Sequence, residues 1–342
     1  MQDQVMQDHV MRHHEGTGGT NTLARRDFLK SSIGALAGGT LAPSALAQGS
    51  GNSAWFPDFR RLKIETSGTT INLVVGGSGP PILLLHGYPS SHIVWRKVAP
   101  ELAQAFTVVA ADLRGYGDSG RPPDGENHFG YCKRAMAQDM VEVMASLGFA
   151  RFAVAGHDRG GRVVHRMALD HPDKVAKLVV MDILPSYYTF EHVDRRFATN
   201  NWYWFFLLEP SPFPETMIAN SLEAYLKRSQ ARLIPYVVPE EVFAEYVRGF
   251  RTAGAIHAYC EDYRAGATID LVHDEADRHR KVACPTLVLW GARGFRGQNY
   301  DPLAIWRDYA SNVSGKGMPS GHHIVDEAPA ETVAELRRFF AA

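Results

Sequence analysis

Five short runs, each apolar on both faces, recur between stretches of helical periodicity: PILLLH, FTVVAAD, FAVAGH, KLVVMD and TLVLWG. A strand of this kind must be covered on both sides, which is the condition of the interior strands of a parallel sheet. The cover is in the sequence. Over Lys133 to Leu147 and Gly160 to His171, apolar residues recur three and four apart, the stripe expected of helices laid on a sheet. Residues 61–66 (RLKIET) and 70–75 (TINLVV) predict an opening hairpin around Ser67-Gly68. The predicted class is α/β, a mostly parallel sheet with helices on both faces.

The alternation stops between Leu184 and about Asp274, where Pro185, Pro210, Pro212, Pro214 and the aromatic cluster Trp202 to Phe206 interrupt it. A mostly helical insertion is expected there, including the segment PEEVFAEYVRGF from Pro239. A lid over a cleft suits it, because open α/β sheets bind ligands beyond the carboxyl ends of their strands. A chain of 342 residues accommodates one large α/β domain with such an insertion. The expected organisation is a core over 48–184, a helical cap over 185–274, and the rest of the core over 275–342.

Residues 1–47 are set apart as a leader. Arg25-Arg26-Asp27-Phe28-Leu29-Lys30 resembles a twin-arginine export motif, Ser31 to Leu41 is weakly apolar, and Ala45-Leu46-Ala47 resembles a cleavage triplet. The apolar run is shorter than the roughly 20 residues a bilayer span needs. The expectation is a mature protein starting near Gln48, carried folded by the twin-arginine machinery to the periplasm or outside, with no stable membrane span. His13 and His14 lie in the low-complexity leader, where a metal role is not expected.

With 36 Lys plus Arg against 37 Asp plus Glu, the formal charge of −1 gives no basic excess for a nucleic acid. Three scattered cysteines, Cys132, Cys260 and Cys284, form neither a disulfide framework nor a zinc motif. No metal or organic cofactor is expected.

The chemistry is expected after the FAVAGH run. Gly156-His157-Asp158-Arg159-Gly160 has the frame of the strand–turn–helix elbow that presents a nucleophile, with Asp158 where the usual motif has Ser. No G-x-S-x-G occurs, which argues against a serine esterase. The late histidine that such a site needs is supplied by Ser320-Gly321-His322-His323, with His322 preferred and His323 as fallback. His86-Gly87-Tyr88-Pro89 ends a buried strand where a backbone anion hole is expected, with N–H donors from Tyr88 and Arg159. Arg159 and Arg162 lie one helical turn apart on one face, so a substrate carrying a carboxylate is expected between them.

From Pro80 to Phe340 the chain resembles α/β-hydrolases of the haloacetate dehalogenase type, including fluoroacetate dehalogenases. The likeness runs through LLLHGYP, ADLRGYGDS, AGHDRGGR, MDILP, WYWFF with PSPFPE, CEDYRAGA and SGHH-IVDEAP. It implies that Asp158 attacks carbon and displaces halide, that His322 activates water against the resulting ester, and that Asp182, at the end of KLVVMD, orients His322. It implies halide contacts from Trp204 and Tyr263, with Tyr203 standing where the family has His. It also allows a homodimer. Ser229 falls near a position where fluoroacetate-specific members carry a pocket-narrowing Trp, so a wider pocket is expected. The segment after the seventh strand, Trp290-Gly291-Ala292-Arg293-Gly294, lacks the acid that many relatives keep there. Tyr203 and Tyr263 also resemble the tyrosine pair of epoxide hydrolases, which makes epoxide hydrolysis the alternative. A non-catalytic ligand-binding member is the third reading.

Overall fold

Each of the five runs forms a strand, and alternate side chains along them enter two different apolar cores. In the computed structural model, which describes residues 48–49, 55–230 and 237–342, Leu83 and Leu85 of β4 (Pro81–Leu85) join one core, while Ile82 and Leu84 join the other. β5 (Thr107–Ala111) and β7 (Val175–Met181) divide in the same way, with Val109 and Leu178 on one side and Val108 and Val179 on the other. The two remaining runs are β6 (Phe152–His157) and β8 (Thr286–Gly291).

The expected hairpin is β2 (Arg60–Glu65) and β3 (Thr70–Gly76). Two strands were not expected, β1 (Gln48–Gly49) and β9 (Val313–Met318). The sheet order is β1-β2-β3-β5-β4-β6-β7-β8-β9. Pairings from β1 to β5 through β3 are antiparallel, and all the others are parallel. β9 reads VSGKGM and alternates in exposure, as one face of an edge strand does, so it lacks the doubly apolar signature of its neighbours.

Helix Lys133–Ser146 opens with the Cys132 sulfur accepting the Ala135 N–H and buries Met136, Met140, Val143 and Met144 at helical spacing. It packs beside helix Arg159–Asp170 on one face of the sheet. Trp95, Leu102 and the C-terminal helix Pro329–Ala341, through Leu336 and Phe340, cover the other face. The insertion is helical from Ser186–Glu191 to Ile269–Ala276, and the aromatic cluster forms helix Trp202–Leu208. Its buried Trp204, Tyr259 and Tyr263 share a core with β4 and β6 side chains, so cap and sheet form one unit within Ala45–Ala342. Among the described residues no helix is long and apolar enough to cross a membrane. The twin-arginine segment and the rest of the leader lie outside the described residues.

Candidate active site

Asp158 sits between β6 and helix Arg159–Asp170 with φ 50° and ψ −118°, backbone that a non-glycine residue holds at a cost of about 1–3 kcal/mol. It stands at the helix N-cap, yet its side chain makes no capping bond. The close approach that builds this turn needs residues without a Cβ: one added at Gly156 would lie 2.3 Å from the Gly160 carbonyl, and one at Gly87 would lie 2.4 Å from the Asp158 Cβ. The carboxylate is turned instead toward the loop after β4, where its Oδ1 accepts the Tyr88 N–H at 3.0 Å. Tyr88 is the residue from which a backbone donor was expected, and here its N–H meets the Asp158 carboxylate. Arg159 begins the helix, where N–H groups have no intrahelical acceptor.

His322 stands between two carboxylates. Its Nδ1 is 2.5 Å from Asp182 Oδ2 and its Nε2 is 3.5 Å from Asp158 Oδ2. Asp182, also at positive φ (47°), follows β7 and accepts the Gly291 N–H at 2.9 Å through its other oxygen. The His157 ring donates through Nε2 to the His322 carbonyl at 2.8 Å, which ties the elbow to the histidine loop. His323 stacks edge-on to His322, with ring centroids 4.9 Å apart, and reaches neither carboxylate by a hydrogen bond.

Burial alone would raise the pKa of Asp158, but the hydrogen bond and charge of His322 hold it well below the carboxylate range. Burial likewise opposes ionisation of Asp182, and the Arg296 and His322 charges outweigh it, giving about 2. For His322 burial acts downward, and the two carboxylates more than reverse it, to about 9. At neutral pH the resting site therefore holds an imidazolium between two carboxylates.

The two arginines expected to form a clamp differ in their partners. Both arginines are buried, but the Arg159 fork is already taken by cap residue Asp262, through Nε to Oδ2 at 2.8 Å and Nη2 to Oδ1 at 2.7 Å. Asp262 also accepts from Lys133 Nζ at 2.5 Å and from the Tyr116 hydroxyl at 2.7 Å. Arg162 is in the opposite condition. Its Nη1 donates to Ser186 Oγ at 2.7 Å, whereas Nε and Nη2 are buried without a hydrogen-bond partner. Burial, then the charges of Arg159 and Arg296, lower its pKa to about 10. A buried guanidinium with two unsatisfied nitrogens is a place for an anion.

The aromatic residues named from the sequence close around this cation. Arg162 lies over the Trp204 ring at 5.0 Å, and Arg159 over the Tyr263 ring at 4.2 Å. Tyr203 and Tyr263 are 6.2 Å apart by ring centroid, and both flank the Tyr88 ring. Burial and then the Asp158 charge raise the Tyr203 pKa, and Tyr263 is pushed well up by burial, Tyr203 and Asp158. Both phenols thus stay protonated beside the carboxylate. The Trp204 Nε1 is buried beside the Tyr203 hydroxyl.

Sequence reasoning missed Asp262, Ser186 and Arg296. Arg296 follows β8 two residues beyond the 290–294 segment that lacks the acid, and its Nη1 lies 3.1 Å from Asp182 Oδ2 and 3.4 Å from His322 Nδ1. Folding also gathers two groups with metal-ligand spacing that the sequence did not suggest, Asp124 with His257 and Glu261, and Cys132 with Asp270 and His273. Neither includes a residue of the Asp158 site.

Residues 80–328 match the alpha/beta hydrolase fold family. The chain is 44% identical over 290 residues to a fluoroacetate dehalogenase of Burkholderia sp, covering 84% of this chain and 95% of that protein. It is 34% identical over 281 residues to a soluble epoxide hydrolase of Corynebacterium sp. (strain C12), covering 80% and 95%. A crystal structure of an alpha/beta hydrolase from Nostoc sp PCC 7120 superposes with a TM-score of 0.81 at 50% identity, covering 82% of this chain and 98% of that one. The chain belongs to the alpha/beta hydrolase fold family, and with dehalogenase and epoxide hydrolase homologues it is a hydrolase of that fold.

Proposed function

We propose that the protein dehalogenates a short 2-halocarboxylate hydrolytically, with Asp158 as nucleophile, His322 as base and Asp182 as the residue that orients it. The observation that carries this reading is the buried, two-thirds unpartnered Arg162 guanidinium beside an ionised, nucleophile-elbow aspartate. An anionic substrate held at Arg162 puts its α-carbon before the Asp158 carboxylate. One carboxylate oxygen attacks that carbon, the carbon–halogen bond breaks, and halide leaves with the electron pair toward the Trp204 N–H and the Tyr203 and Tyr263 hydroxyls. The product of this step is an ester of Asp158.

Ester formation removes one of the two anions that keep His322 protonated, so its pKa falls and the imidazole becomes available as a base. His322 Nε2 then takes a proton from water, and the hydroxide adds to Asp158 Cγ. The resulting oxyanion is met by the Tyr88 N–H, and the ester C–O bond breaks; the departing alkoxide takes the proton held by the His322 imidazolium to give a 2-hydroxy acid, and the Asp158 carboxyl proton passes to His322, which restores the carboxylate. The 44% identity to a fluoroacetate dehalogenase supports the same assignment. Because Tyr203 replaces a histidine, chloro- and bromoacetate are expected to react faster than fluoroacetate.

Epoxide hydrolysis is the second reading, favoured by the two protonated phenols facing Asp158. Halide release from the three haloacetates, measured beside diol formation from styrene oxide, tests the choice. Halide from chloro- or bromoacetate supports dehalogenation, and diol without halide overturns it. The leader pattern supports action in the periplasm after twin-arginine export, and cell fractionation of the full chain, with and without Arg25→Lys/Arg26→Lys, checks this.

A further inference from the structure

Above His322 and Tyr203 the structure holds a cavity of about 670 Å³, the size of a site for a drug-sized molecule and far larger than a two-carbon acid requires. Its described lining is sorted by charge. Arg195, Arg196, Arg228 and Arg296 line it together with His322 and His323, and no Asp or Glu does. The whole chain, by contrast, is balanced at 36 basic against 37 acidic residues.

Two of the four arginines are occupied, Arg196 by Asp194 at 3.3 Å and Arg296 by Asp182 at 3.1 Å. Arg195 and Arg228 have no carboxylate partner among the described residues, and Arg228 is held over the Trp202 ring at 5.3 Å. Stacking on an indole fixes the direction of a guanidinium while leaving its edge nitrogens for an acceptor. Trp202, Tyr203 and Phe295 supply apolar wall to the same cavity.

We infer that this vestibule is a second anion subsite, which receives the distal acidic group of a substrate longer than a haloacetate, a 2-halo dicarboxylate or its equivalent. The inference rests on the dehalogenase reading for the reacting end and adds the far end. The α-carboxylate goes to Arg162, the carbon chain runs along Tyr203 and Phe295, and the second anion meets Arg195 and Arg228.

The test compares 2-bromoglutarate with 2-bromopentanoate, which differ in the distal carboxylate against a methyl, and adds 2-bromo-3-phenylpropanoate. The wild type should favour 2-bromoglutarate over 2-bromopentanoate by about tenfold in kcat/KM, the scale of two partly solvated ion pairs. Arg195→Gln/Arg228→Gln should bring that ratio close to one, and Arg228→Lys should restore part of it. A wild-type ratio near one, a ratio the double variant leaves intact, or a preference for the phenyl compound over both would overturn the subsite. Calorimetric binding of 2-hydroxyglutarate against 2-hydroxypentanoate reads the same ratio without chemistry. If no bromo acid is turned over, the dehalogenase reading fails, while the binding ratio still decides the vestibule. Both arginines are exposed, and a thermal melt identifies a variant that has failed to fold.

Discussion

Replacing Arg162 with Met should make the protein more stable and less active on charged substrates at once. Burial and the charges of Arg159 and Arg296 hold the Arg162 pKa down to about 10, well below that of a solvated guanidinium. At about 1.4 kcal/mol per pKa unit, the fold disfavours this charge by about 3 kcal/mol at neutral pH. The sign follows from the direction: a base whose folded pKa is depressed costs stability below that pKa, and the cost fades as pH rises through 10. Methionine removes the charge and keeps much of the stem's packing over Trp204. It loses the Ser186 hydrogen bond, worth about 1 kcal/mol. The net gain is about 2 kcal/mol, which raises Tm by several degrees in a domain of this size. In the same variant, loss of the charge-assisted bonds to a substrate carboxylate costs about 1.5–3 kcal/mol, or roughly ten- to a hundredfold in kcat/KM for chloroacetate. Chloroacetamide, which has no anion to place there, should lose little. Thermal unfolding and halide release measure the two effects. A lower Tm together with equal losses on acid and amide would refute the reasoning and make Arg162 a structural residue.

Two further expectations concern titration. The kcat/KM for a haloacetate should fall as pH rises through about 10, because Arg162 loses its proton there, and should show no acid limb from Asp158, whose pKa lies well below the carboxylate range; an acid limb near pH 5 in free enzyme would contradict this. Arg296→Met should move the acid limb of kcat to higher pH, since removing a cation 3.4 Å from His322 Nδ1 makes the imidazolium easier to hold and the neutral base rarer. An unmoved limb, or one moved to lower pH, would show that Arg296 does not tune the base.

The interior of the sheet was legible because β4 to β8 are apolar on both faces, and only a covered strand can be so. β9 escaped because an edge strand that reads VSGKGM carries glycines and a lysine where its neighbours carry branched apolar residues. Among the site residues, Asp158, His322 and Asp182 each stand at the end of a strand or in a loop whose motif fixes their place. The fate of the two arginines was not legible. Both sit on one helical face, and the partner that neutralises Arg159 lies 103 residues further on, in the cap. Which guanidinium keeps unpartnered nitrogens is decided by tertiary contacts around Asp262, which no local pattern encodes. Arg296 was hidden for a related reason: it lies beyond the 290–294 segment searched for an acid, and what it brings to Asp182 is a cation.

The central claim is that Asp158 becomes an ester of the substrate and that His322 is needed only to hydrolyse it. Intact mass spectrometry of His322→Ala after addition of chloroacetate tests this most directly. The account predicts a protein heavier by one carboxymethyl group, with the label on the peptide that contains Asp158 and no label when Asp158→Asn is added. An unlabelled His322→Ala protein, under conditions where the wild type releases chloride, would contradict it.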